Sequence, residues 1–109
     1  MPTALTVDTV RHERDDLRLT VAGEIDLSNI EAFRQAVGAA VAEAADLGAD
    51  LTIDMAGVEY VDSAAINVLS AQAERIGRLV IHPLLMTTLT ISGLTELVAV
   101  EAAPVDAGR

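Results

Sequence analysis

Two hydrophobic rhythms alternate along this chain, and their order leaves few folds open. Leu17, Leu19 and Val21 alternate with Arg18, Thr20 and Ala22, the period of a strand with one buried face. Leu5, Val7 and Thr9 repeat that pattern more weakly. A leading antiparallel hairpin is therefore expected, with the charged run Arg11–Asp16 as its exposed connection. The rhythm then changes. Ile30, Phe33, Val37, Ala40, Val41 and Ala44 recur at helical spacing. Ser28 followed three residues later by Glu31 fits a capping box, and Gly48 fits a C-terminal stop. Gly38 inside this helix should weaken it by roughly 0.5–1 kcal/mol relative to Ala.

Leu51–Met55 is short and apolar, as a buried central strand would be. A second helix is expected from Ser63 to Ile76, burying Ile66, Leu69, Ala73 and Ile76 and ending at Gly77. Arg78–His82 reads as another buried strand closed by Pro83, Leu84–Ile91 as a short third helix broken at Ser92-Gly93, and Leu97–Glu101 as a last strand. The order β-β-α-β-α-β-α-β implies an α/β fold: a single mixed β-sheet packed with helices, its leading hairpin antiparallel and the remaining strands parallel. The 109 residues suffice for one domain, with its ordered part at about 5–101 and a frayed tail at 102–109.

Phe33 and Tyr60 are the only aromatic residues, so the core must be built from Val, Leu, Ile and Ala. The formal net charge is -10, with seven arginines and no lysine. That balance argues against nucleic acid or an anionic membrane surface as a partner, and suits either solubility or a basic protein partner. The absence of cysteine excludes disulfides, a catalytic thiol and thiolate metal sites. His12 and His82 lack ligand spacing, and Gly23, Gly48 and Gly57 are isolated rather than part of a phosphate loop. No catalytic residue, metal or cofactor is expected. The N-terminus lacks the features of a signal peptide, and no run of about 18 apolar residues could span a bilayer, so a cytoplasmic protein is expected.

One stretch carries more than fold information. Gly57-Val58-Glu59-Tyr60-Val61-Asp62-Ser63 joins the central strand to the second helix, and Asp62 and Ser63 fall where that helix begins. Side-chain oxygens there accept bonds from the free N–H groups of the first turn, so Ser63 read alone is most simply a cap contributing about 1 kcal/mol. Ser28 has the same simple reading. Asp26 and Asp54 are either turn formers or functional carboxylates. Asp26 should lie near Ser63, because loops at the carboxyl ends of strands gather on one edge.

Three segments resemble the STAS family, the fold of bacterial anti-sigma factor antagonists. Gly23-Glu24-Ile25-Asp26-Leu27-Ser28 is similar to the family's G-E-[IL]-D-[LV]-[ST] stretch before the first helix. Leu51–Ser63 resembles its central strand, loop and D-S motif, and Ile91-Ser92-Gly93-Leu94 its late T-G-L turn. The resemblance implies a partner-switching cycle. The unphosphorylated protein binds an anti-sigma factor that is also a serine kinase, and the sigma factor is freed. The kinase then phosphorylates the serine after the motif aspartate, here Ser63, and a serine phosphatase restores the binding form. The partner surface implied comprises Glu24, Asp26, Ser28, Asp62, Ser63, Ala64, Ala65 and Asn67. From the residues alone, Asn67 is either a rim contact or solvated surface. The chain departs from the usual D-S-x-G-[LI] pattern, with Ala65 in place of glycine. The other role open to such a domain is that of a STAS subunit in a transport or multi-protein sensor complex, bound constitutively without phosphate. The retained Asp62-Ser63 pair favours the switch, and Ala65 the constitutive subunit.

Overall fold

The computed structural model describes residues 5–13 and 15–104. The extreme N-terminus, Arg14 and residues 105–109 lie outside the described residues, and with them the expectation of no leader and most of the expected frayed tail. The start of that tail is not frayed, since Ala102 pairs with Ile81 in the last strand and the Ala103 N–H donates to the Ile81 carbonyl at 2.7 Å. The elements are β1 (Thr6–Glu13), β2 (Asp16–Ile25), α1 (Ile30–Leu47), β3 (Asp50–Val61), α2 (Ser63–Ala71), β4 (Arg78–Ile81), α3 (Met86–Ser92) and β5 (Val100–Ala102). The five strands lie side by side in sequence order. β1 and β2 are antiparallel, and every later neighbour pairs in parallel. The expected α/β order and mixed sheet are those of the molecule.

Sequential parallel strands leave one arrangement for the helices. Each crossover steps one strand in the same direction, and right-handed crossovers then put α1, α2 and α3 on one face. Burial follows that rule. Leu17, Leu19, Val21 and Ile25 of β2 are fully buried, as are Ile53 of β3 and Leu79 and Ile81 of β4. They meet Phe33, Val37, Ala40 and Ala44 of α1 and Ala65, Val68 and Leu69 of α2 in one apolar cluster. Each large apolar side chain buried this way contributes about 1.5–3 kcal/mol. The opposite face carries Arg18 and Thr20 of β2, Asp54 of β3 and Arg78 of β4. Arg18 reaches Asp54 at 3.1 Å across it, and Arg78 reaches Glu101 at 2.9 Å.

Several boundaries differ from the expected ones, each for a local reason. The charged run is not all connection: β1 continues to Glu13, which pairs with Asp16 at the start of β2. The central strand is not Leu51–Met55 alone but 12 residues long, against 10 in β2. The residues read as a loop, Gly57–Val61, still pair with Ala22–Ile25. The register slips twice, so β3 places its extra residues in two bulges. At the first, the Asp54 carboxylate accepts the Ala56 N–H at 3.0 Å. α2 ends at Ala71 rather than Ile76, because the chain tightens into a 3-10 turn at Ala73–Arg75. Gly77 therefore ends no helix; its N–H reaches the Leu51 carbonyl at 2.8 Å. The third helix begins as a 3-10 turn at Pro83–Leu85, with the His82 ring nitrogen accepting the Leu84 N–H at 3.0 Å. The last strand starts three residues late, because the Leu97 and Val98 amides both bond the Leu94 carbonyl of a preceding 3-10 turn.

Gly48 ends α1 in the left-handed region at φ 64°, as expected of a C-terminal stop. Gly57 is required for a different reason. A Cβ there would lie 2.9 Å from the Ala22 Cβ across the β2–β3 ladder. Gly57→Ala should cost about 1–3 kcal/mol in chemical denaturation, and Ala22→Gly should recover part of that loss. A Gly57→Ala variant as stable as the parent would contradict this packing. A Cβ at Gly38 meets nothing within 4 Å. Gly38→Ala should therefore stabilise the chain by about 0.5–1 kcal/mol in the same measurement.

Candidate functional site

The parallel register builds the site. Ile25 pairs with Val61, and both strands end there. The next residues, Asp26 and Asp62, leave adjacent strands about 4.8 Å apart. Two short acidic loops are therefore held side by side at the carboxyl edge of the sheet.

Asp62, not Ser63, caps α2. Its backbone is extended (φ -104°, ψ -178°), and its side-chain oxygen accepts the Ala65 N–H at 3.2 Å. Its carbonyl accepts the Ile66 N–H at 3.3 Å. Ser63 is the first residue inside the helix and is exposed. Its hydroxyl is therefore not needed to satisfy the helix end. Among the described residues no side-chain hydrogen bond engages it.

Ser28 does not cap α1 either. The helix starts one residue later than the capping box implies, after Asn29. Ser28 instead closes a tight turn on Asp26, whose Oδ1 accepts the Ser28 hydroxyl at 2.5 Å and the Ser28 N–H at 2.9 Å. These bonds, the hydroxyl first, hold the Asp26 carboxyl below the usual aspartate range. Glu31, expected to reach back to Ser28, pairs with Arg34 one turn on. Asn29, which the sequence pattern did not single out, braces the loop from inside. Its Oδ1 accepts the Asp26 N–H at 3.0 Å, and its Nδ2 donates to the Glu24 carbonyl at 2.8 Å. Its position just before the first periodic apolar residue was the available signal.

The candidate residues divide by exposure. Asp26, Ser28, Asp62, Ser63 and Ala64 are exposed or half-buried at this edge. Asn67 is exposed one helical turn after Ser63. Glu24 is half-buried opposite Tyr60 on the sheet face away from the helices. A depression of about 220 Å³ lies beside it, lined by Gly23, Glu24, Gly57 and Glu59. Ala65 does not join the surface set. It is fully buried, so the methyl group that replaces the usual glycine hydrogen faces the core. Asp54 stays at the β3 bulge with Arg18 and Ala56, which is its turn-forming reading. Leu27, 80% exposed beside Asp26, was also missed. No helix among the described residues is long and apolar enough to cross a membrane.

A mixed sheet covered by helices on one face, with an aspartate-capped helix presenting a serine at the sheet's carboxyl edge, is the arrangement of a STAS domain. The family model described as "Mlab, STAS domain" matches residues 9–99, and the chain belongs to that family. Among known proteins it is similar to the anti-sigma-F factor antagonist RsfB of Mycobacterium tuberculosis, at 35% identity over 77 residues. That match covers 71% of this chain and 60% of the relative, so the chain spans about three fifths of that protein's length. A crystal structure of an anti-sigma factor antagonist from Mycobacterium paratuberculosis is similar at a TM-score of 0.79 and 27% identity, covering 93% of this chain and 88% of that one. SpoIIAA shares the fold at 16–17% identity. Its unphosphorylated form aligns at a TM-score of 0.66 over 91% of this chain and 89% of that one. The phosphorylated form of the Bacillus protein aligns at 0.60 over 91% and 92%.

The two caps can be told apart by stability. Asp62→Ala should cost about 1 kcal/mol in urea unfolding, whereas Ser63→Ala should stay within about 0.5 kcal/mol. The reverse ranking would return the cap to Ser63. The loop makes a second test. The folded-state pKa of Asp26 is lowered, so its bonds to Ser28 persist above the usual aspartate range and are lost only as pH falls through the depressed value. The Ser28 amide resonance should therefore titrate below the range of a free aspartate, and a midpoint within that range would contradict the turn.

Proposed function

We propose that this chain is an anti-sigma factor antagonist that binds an anti-sigma factor of the serine-kinase type and is released when Ser63 is phosphorylated. The observation that carries the reading is the Ser63 hydroxyl, exposed at the first position of α2 while Asp62 does the capping. A kinase can reach such a hydroxyl without unfolding the helix. The phosphate that results adds about -1.5 to -2 charges at a helix N-terminus, where the dipole tolerates it. The fold therefore survives the modification.

The docked partner does not. Asp26 and Asp62 already flank the serine, and the β2–β3 register holds them there. A dianion added to this edge presents any close-packed surface with like charge and a desolvation cost unless that surface supplies arginines. Steric block and local repulsion release the partner, and a serine phosphatase resets the edge. The antagonist role of the RsfB relative supports the partner class, and the exposed serine supports the switch. In this role the chain is the substrate of enzymes and has no catalysis of its own.

Incubation with an anti-sigma kinase and Mg-ATP should add the mass of one phosphoryl group, and Ser63→Ala should abolish that addition. Phosphate incorporated equally into Ser63→Ala would place the acceptor elsewhere. Ser63→Asp should weaken binding to the anti-sigma factor at least about tenfold, equivalent to about 1.4 kcal/mol, with the melting temperature unchanged. A variant that unfolds would show that the switch is not local.

A further inference from the structure

The chain is densely acidic overall, yet α2 and α3 carry no charge at all. There is no Asp, Glu, Lys or Arg from Ser63 to Ala73, nor from Leu79 to Thr95. By contrast, α1 carries Glu31, Arg34, Glu43 and Asp46. The uncharged helices are not simply core. α3 and the 3-10 turn Pro83–Leu85 that leads into it have two apolar sides. Leu85 and Leu89 are buried, while Leu84, at 70% exposure, and Ile91, at 81%, lie seven residues apart with Thr88 between them. That spacing is two helical turns, so the three make one exposed stripe. Leu97 follows at 57% exposure. Side chains of this size forfeit about 1.5–3 kcal/mol each when left in water.

We infer that the docking face does not stop at the Ser63 edge but continues over the exposed sides of α2 and α3, with Leu84 and Ile91 as its apolar anchors. The inference rests on the antagonist reading and names the chemistry of that partner: an apolar ridge or helix flanked by arginine or lysine. Three observations select that occupant. First, α2 lies against the 3-10 turn at Leu94–Glu96 that directly follows α3, so the two uncharged helices are neighbours and the face that begins at Ser63 passes from one to the other. Second, the charge pattern is that of an interface. Its helices lack Asp, Glu, Lys and Arg, while Asp26 and Asp62 stand at the sheet edge and Glu74 and Glu96 follow α2 and α3. These four carboxylates outnumber the one arginine beside them, Arg75, and favour a basic partner surface. Third, a second copy of the chain is the less favoured occupant, since both copies would carry a net charge of -10.

The test is a binding titration against an anti-sigma factor of the serine-kinase type, with sedimentation of the free chain alongside. Ile91→Ser and Leu84→Ser should each weaken binding about tenfold or more. Leu47→Ser, at the far end of α1, should leave affinity at the parent value. Ser63→Asp is the reference for the edge itself. If it weakens binding while Ile91→Ser and Leu84→Ser bind like the parent, the extended face is wrong and the antagonist reading stands. If the unmodified parent does not bind at all, both fail. A parent chain that sediments as a dimer, and becomes a monomer in Ile91→Ser, would identify the second copy as the occupant and overturn the proposal.

Discussion

The parallel pairing of β2 with β3 is the constraint on which the rest depends. It buries Leu17, Leu19 and Ile53 against the helices, and despite two register shifts it persists to Ile25 and Val61. To do so β3 must absorb two extra residues as bulges. Asp54 bonds the Ala56 amide at one of them, and Gly57 lets the Ala22 backbone come close. The consequence is functional. Because the ladder persists to its last pair, Asp26 and Asp62 emerge together, and the start of α2 is set beside a pre-formed acidic turn. A shorter central strand would leave that edge to two independent loops.

Labour is divided among the polar side chains at this edge. Asp62 satisfies the helix end, Asn29 ties the Asp26 amide to the Glu24 carbonyl, and Asp26 holds Ser28. Ser63 is left with an exposed hydroxyl and no assigned structural task among these bonds. That is the physical condition a modifiable residue needs: its chemistry can change without withdrawing support from the backbone.

The element order and the aliphatic core were legible in the sequence, because the two hydrophobic periods report burial directly. Leu17, Leu19 and Leu51 alternate or cluster as strands must, and Phe33, Val37 and Ala44 follow the helical period. What could not be read were features set by tertiary pairing. Gly57–Val61 looks like a loop because its glycine and charged residues weaken the strand pattern, yet β2 supplies a partner for it. Ser28 looks like a cap because the pattern Ser-x-x-Glu is satisfied, but Asp26 competes for its hydroxyl and Glu31 turns to Arg34. At the site, the juxtaposition of Asp26 and Asp62 followed from sheet topology. Burial of Ala65 did not, since a residue two positions inside a helix can face either way until the packing is known. Leu84 and Ile91 escaped notice because an isolated exposed aliphatic residue is common, and only the structure shows two of them on one side of α3 and its leading turn.

The central claim is that phosphate on Ser63 expels the partner without disturbing the fold. Calorimetric titration of the purified Ser63-phosphorylated chain against an anti-sigma factor of the proposed serine-kinase type, beside the unmodified chain, tests it most directly. The account predicts that the unmodified chain binds and the phosphorylated chain does not, with both giving the same unfolding transition. Equal affinity of the two forms would contradict it.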